Sequence, residues 1–205
     1  MKCKGGHDRR CGTENHGKKL LLEGDKVYLE EISNKYFPYI VKWRNDEKLN
    51  KFLNQKEILT LESQEKWYKE FYMKDAAQGF MIIVEKGAER PFAAIGWTDM
   101  DADKRQCVAG RLVMPDSADA ELLIRAMLVF YDYLFTLVDT IYIHVAPANK
   151  RAMRWNKSFG YKENREKIQY AEHLNTAGIV HIEMMLHKED YWVVRKQLKD
   201  MLGIA

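Results

Sequence analysis

The stretch "PANKRAMRWNKSFGYKE", Pro147–Glu163, holds a strand exit, a short helix and a strand entry in one line. Asn149 suits a helix N-cap, because its side-chain oxygen can accept from an early N–H that has no partner inside the helix. Ala152, Trp155 and Phe159 then fall on one face, with basic residues along the rest. Gly160 follows the last turn and can take the left-handed conformation that ends helices. Tyr161 opens the next strand. The segment reads as a helix between two strands, with its apolar face laid on a sheet.

Working outward, Thr140–Val145 is a β-rich strand, and Ala118–Val138 is the longest helical pattern. Leu122, Ala126, Phe130, Leu134 and Leu137 form its expected apolar stripe. Before it, Phe80–Glu85, Phe92–Met100 and Cys107–Met114 read as three strands, with turns at Gly87 and Asp101–Arg105 and with Pro115 closing the third. Nearer the start, Lys26–Glu30 alternates as a strand, and Asn34 is placed to cap a helix through Trp43. "WRNDEKLNKFL" bends into a second short helix, and Ser63 is placed to cap "SQEKWYKEFYM". Downstream, strands from Tyr161 and over Ile179–Leu186 precede an amphipathic last helix. The meander argues for antiparallel pairing. The strand-helix-strand segments allow locally parallel pairing. The expected class is α+β: a mixed, mostly antiparallel sheet flanked by helices.

The 205 residues give room for one domain, expected over 20–205, after a polar tail at 1–19. Apolar residues make up 46% and charged residues 31%, which suits a soluble globular chain. A net charge of +3 is too mild to imply nucleic acid. No apolar run is long enough to span a bilayer. Three cysteines, an odd number, fit a reduced, cytoplasmic setting. Cys3, His7, Cys11 and His16 in the tail are zinc-type ligands, but their intervals are not those of a common finger, and no metal site is assigned.

The segment Asn149–Tyr161 resembles the strand-helix-"GF" region of the GNAT superfamily of N-acyltransferases. "WRND" (Trp43–Asp46), "SQEKWYKEF" (Ser63–Phe71) and "MMLHKEDYW" (Met184–Trp192) agree in order with the branch that includes ribosomal-protein, amino-sugar and aminoglycoside acetyltransferases. The likeness spans about Lys26 to Trp192. It implies a splayed pair of parallel strands, here Cys107–Met114 and Thr140–Val145, with the pantetheine arm of acetyl-CoA as co-substrate between them. Free strand amides and carbonyls would bind that arm. By the same resemblance Leu112, Val113 and Met114 would line it, and Asn149 would help hold the splay.

The family's pyrophosphate loop normally reads Arg/Gln-x-x-Gly-x-Gly/Ala. Its counterpart here is "PDSADAELL", Pro115–Leu123, so Ala118, Asp119 and Ala120 fall at the cofactor-binding positions. Ala118 replaces a basic or Gln residue, and Asp119 and Glu121 replace glycines. Acids suit a helix start but repel phosphate. Compensation would have to come from Arg111, Arg125, Lys150, Arg151 or Arg154, and Arg154 is counted with the cofactor residues. Many family members carry a Tyr acid in the opening helix, and Asn156 stands at that position. Transfer to an amine also needs a base. Asp99 is the first choice and His144 the second, while His173 and His181 are weaker. Trp43, Trp67, Tyr68, Phe71 and Tyr72 are candidates to wall an acceptor pocket or to pack the core.

The resemblance implies an N-acyltransferase that moves an acetyl group from acetyl-CoA to a primary amine of a small molecule or protein. The acidic loop keeps an alternative open: a GNAT-fold protein that has lost ordinary CoA binding and acts as a binding module or uses another donor.

Overall fold

The computed structural model describes residues 19–50, 52, 55, 57–115, 117–164 and 181–204. Residues 1–18 of the 1–19 tail, Asp116 and His173 lie outside them. Strands β1 (Leu21–Glu23), β2 (Val27–Glu31), β3 (Gly79–Glu85), β4 (Arg90–Asp101), β5 (Gln106–Val113), β6 (Thr140–Val145), β7 (Lys162–Glu163) and β8 (Ile182–His187) form one sheet. Their spatial order is β1-β2-β3-β4-β5-β6-β8-β7. Every neighbouring pair is antiparallel except β5–β6. The helices are α1 (Phe37–Arg44), α2 (Glu47–Asn50), α3 (Leu61–Glu70), α4 (Ala120–Leu137), α5 (Lys150–Ser158) and α6 (Lys188–Leu202). The fold is the expected α+β class, with a mostly antiparallel mixed sheet flanked by helices.

Alternation along the strands gives the sheet two apolar faces. Met81 and Ile83 of β3 join Phe130, Leu134 and Tyr191 of α4 and α6 in one core. Phe80, Ile82 and Val84 of the same strand join Ile40 and Trp43 of α1 in another. Burying both faces explains why β3 reads as a continuous apolar run.

Several local expectations are corrected. The start of the chain carries an extra strand, β1, paired with β2. Asn34 caps nothing: a single 3₁₀ turn at Asn34–Tyr36 leads into α1, and Pro38 sits in the first turn of that helix. The cap of α3 is Thr60, three residues before Ser63, and the two form a reciprocal capping box. The inward stripe of α4 runs through Leu123, Ala126, Phe130 and Leu134, while Leu137 is 39% exposed. Leu137 is the last residue of the helix, before the extended C-cap Val138. The Asn149 cap holds, with Oδ1 accepting from Ala152 N at 3.0 Å, and Gly160 closes α5 at φ 95°.

Two bulges bend the central strands. Between the pairs Ala94–Val113 and Gly96–Gly110, β5 advances three residues while β4 advances two. The surplus lies at Arg111, whose φ is 56°. Between Thr98–Val108 and Asp101–Gln106 the imbalance reverses, and Asp99 sits at φ 53°. Left-handed backbone at non-glycine residues is strained and collects at functional places.

The parallel contact of β5 with β6 is short. It pairs Gln106–Thr140, Cys107–Ile141 and Val108–Tyr142, and nothing beyond. From Ala109 and Ile143 onward the strands part. Their closed end is clamped: the Arg105 carbonyl accepts from Asp139 N at 2.8 Å, and the Arg105 guanidinium grips the Asp139 carboxylate at 2.5 and 3.0 Å.

The β3–β4 contact is close at Gly79 and Gly96. A Cβ on Gly96 would come within 2.4 Å of the Gly79 carbonyl oxygen. Gly96→Ala is expected to lower stability by about 1–3 kcal/mol, read as a shift in the urea midpoint.

Candidate functional site

The parting of β5 and β6 opens a cavity of about 400 Å³. Ala109–Met114 form one wall, Ile143–Ala146 the other, and Asn149, Ala152, Trp155 and Asn156 of the α5 region close the side. Backbone groups of both strands that face the gap lack a strand partner. Trp155 Nε1 and His144 Nε2, both in this wall, are buried without a hydrogen-bond partner among the described residues. The charged residues and histidines of the lining are Lys48, Arg111, His144, Arg151 and His181, and among the described residues no carboxylate lines it.

A second cavity of about 630 Å³ lies on the α3 side. Trp67 and Phe71 give it aromatic walls, while Glu70, Asp75, Asp99 and Lys74 give it charge. Arg111 and His144 line both cavities, so the two meet at those side chains.

The register places His144 opposite Glu183 of β8. The imidazole Nε2 stands 3.6 Å from Glu183 Oε2, a charge contact too long for a hydrogen bond. Glu183 is 6% exposed, and Asn164 Nδ2 donates to its Oε1 at 2.7 Å. The carboxylate thus stands behind the histidine, on the neighbouring strand. Asp99 is exposed on the rim, and its Oδ2 accepts from Thr98 Oγ1 at 2.7 Å.

Arg111 points its guanidinium over the Trp67 ring at 5.4 Å and donates to Gln78 Oε1 at 2.8 Å. Burial holds this guanidinium below its ordinary range, and the nearby charge of Arg44 adds to the effect. Tyr72, Asp75 and Asp99 act in the opposite sense.

The start of α4 is arranged differently from a phosphate site. The Asp119 carboxylate accepts from Glu121 N at 2.7 Å and Leu122 N at 3.1 Å. Those are the amides that a bound anion would otherwise take. Glu121 is drawn off by Lys26, at 2.9 Å, and by Arg125, and both contacts lower its carboxyl below the usual range. Arg125, 6% exposed, also bonds Asp25 and the Leu202 carbonyl, so its charge is spent away from the cavities.

The sequence candidates therefore separate. Leu112, Val113, Met114, Asn149, His144 and Asn156 gather around the first cavity, and Asp99 joins His144 at the second. Ala118 packs against the core, Asp119 caps α4, and Ala120 is exposed on its first turn. Arg154 lies with Lys150 and Lys157 in a separate groove on the outer side of α5, whereas Arg151 lines the cleft. Of the aromatics, Trp43 and Tyr72 belong to the core, Tyr68 packs edge-on against Phe37, and Trp67 and Phe71 wall the second cavity. Glu183 was missed, although an acid inside the apolar run "HIEMML" is itself a signal.

A family model described as an acetyltransferase (GNAT) domain matches residues 26–162. The chain belongs to the GNAT acetyltransferase family. A search of curated proteins by sequence finds no match. Among solved structures, apo FdhC, a nucleotide-linked sugar GNAT, is 15% identical with a TM-score of 0.72, over 91% of this chain and 100% of its own. A GCN5-related N-acetyltransferase from Brucella melitensis is 14% identical with a TM-score of 0.74, over 90% and 86%. Spermidine N-acetyltransferase from Vibrio cholerae, in complex with CoA and spermine, is 16% identical with a TM-score of 0.65, over 82% and 98%. These likenesses establish the GNAT fold. Among the described residues no helix is long and apolar enough to cross a membrane, and no His/Cys/Asp/Glu group could hold a metal ion.

Asp119→Ser keeps a good N-cap and removes the charge at the GNAT phosphate position. It is expected to tighten acetyl-CoA binding about two- to five-fold by calorimetry at low salt, while stability changes by less than about 0.5 kcal/mol.

Proposed function

We propose that the chain transfers the acetyl group of acetyl-CoA to the primary amine of a small molecule or protein. The observation that carries this reading is the parting of β5 from β6 after Val108 and Tyr142, which leaves an amide-lined cleft with no carboxylate in its wall among the described residues. The residues present fit an amide-rich, anionic guest: free strand groups, a Trp155 Nε1 unpartnered among the described residues, and cations at Lys48 and Arg151. Acetyl-CoA, when bound, supplies the thioester carbonyl that an amine attacks.

The chain's own groups divide the remaining work. Gap-facing N–H groups of β5 are donors for a carbonyl oxygen, the kind of fixed dipole that stabilises developing negative charge. His144 is the base, ahead of Asp99, because it stands where the two cavities meet and has Glu183 behind it. With Nε2 turned toward Glu183, Nδ1 is left to take the amine proton. Asn156 lines the cleft and is limited to a hydrogen bond, since an amide cannot usefully supply a proton. Asn149 fixes the start of α5 beside β6. A reduced, cytoplasmic setting goes with this proposal.

A second reading has its own support. Asp119 occupies the α4 amides, which favours a GNAT-fold protein that no longer binds CoA in the ordinary way. Calorimetry with acetyl-CoA at low salt separates the two. Heat of binding supports transfer, and none at millimolar acetyl-CoA overturns it.

His144→Gln is expected to lower kcat by about 10²–10⁴-fold with little change in KM. Glu183→Gln, which leaves the imidazole in place, is expected to lower it by about tenfold. Both are read as release of free CoA with a panel of amines. Equal rates for His144→Gln and the native chain would remove His144 from the base role.

A further inference from the structure

Arg111 is an expensive residue where it stands. It occupies the surplus position of the β5 bulge at φ 56°, a conformation that side-chain-bearing residues seldom adopt. The bulge takes its side chain out of the strand and into the wall shared by the two cavities. The guanidinium is half-buried, stacks on Trp67 and uses one hydrogen bond, to Gln78. A guanidinium has five N–H donors in a planar fork, and among the described residues no carboxylate comes within ion-pair distance of this one. Asp75 and Asp99 line the second cavity with it and soften its cost without closing on it. Arg44 at the end of α1 is half-buried as well, with neither ion pair nor hydrogen bond among the described residues. Its charge adds to the lowering that burial imposes on the Arg111 guanidinium. A guanidinium drawn partly out of water is ordinarily paired, and the partner that fits its fork is a carboxylate.

We infer that the amine acceptor carries a carboxylate, and that Arg111 reads that carboxylate while the amine faces His144. This rests on the transfer reading and narrows it. The shared wall offers both ends of such a molecule a place: a planar fork for the carboxylate and an imidazole for the amine proton. The aromatic face of Trp67 keeps the guanidinium plane fixed, so the fork is preorganised before the acceptor enters. A plain alkylamine satisfies one of these groups and leaves the other unpaired. An amino acid or a carboxylate-bearing amine satisfies both.

The experiment uses the native full-length chain with acetyl-CoA and a panel of amino acids, each set against its primary amide, read as CoA release. At least one acid is expected to exceed its amide in kcat/KM by about tenfold to a hundredfold, the value of one charge-assisted pair. In Arg111→Gln the gap should shrink to within about threefold by loss of the acid's advantage, the amide's own rate holding within about threefold. Arg111→Lys, which keeps the charge but not the fork, should fall between. A variant that merely folds poorly lowers acid and amide together, and that result would mean Arg111 is structural and overturn the inference. If no acid outperforms its amide while uncharged amines are acetylated, the carboxylate assignment is wrong and the transfer reading stands. If acid and amide are equal but succinyl-CoA is preferred to acetyl-CoA, the fork reads the acyl group and the acceptor assignment is overturned. If nothing releases CoA and acetyl-CoA does not bind, both fail together.

Discussion

One surplus residue in β5 sets the shape of the functional half of the molecule. β5 has to stay in register with β4 on one side while leaving β6 on the other, and a flat strand cannot do both. The bulge at Arg111 lets the β4 pairing resume at Ala94–Val113 after the strand has bent. Parallel pairing with β6 has ended by then. The bulge also chooses which side chain enters the wall of the gap. Backbone strain and the placement of a guanidinium are thus one feature seen two ways.

The rest of the fold keeps that bend from relaxing. Cores on both faces of the sheet hold β3 and β4 in place, and β8 supports the far side of β6 through six paired residues. The start of α4 is tied to the opposite edge by the Lys26–Glu121–Arg125–Asp25 chain of charges. That network accounts for acids in a loop where the family carries glycine. They serve the packing of α4 against the turn before β2, and the anion that the helix start needs is supplied by Asp119 itself.

How much of this was legible in the sequence follows from what each feature depends on. Strand alternation, the Asn149 cap and the Gly160 stop are local, and the positions of the central strands, α4 and α5 were readable to within a few residues. The splay was expected through resemblance and is visible as an interrupted register. Caps failed where competing side chains stood close together: Thr60 and Ser63 both satisfy the rule, and only packing decides between them. The α4 stripe was read correctly at Ala126, Phe130 and Leu134 and missed at its ends, where Leu123 rather than Leu122 is buried and Leu137 is exposed. His144 and Asp99 were found as titratable residues in or beside strands. Their convergence with Arg111 and Glu183 was not, because it depends on bulges and on β8 pairing beside β6 across a long connection. No local pattern encodes either.

The closed end of the gap has a mechanical meaning. β5 and β6 touch over three residue pairs, with the Arg105–Asp139 clamp just before them. From that vertex β5 runs another five residues to Val113, about 17 Å at the rise of an extended strand. A change of about 5° at the vertex therefore moves the far end by roughly 1.5 Å, close to the difference between admitting and excluding a methylene chain. A surface ion pair remote from any reacting atom thus acts as the fulcrum of the aperture, and small substitutions around it are amplified by leverage.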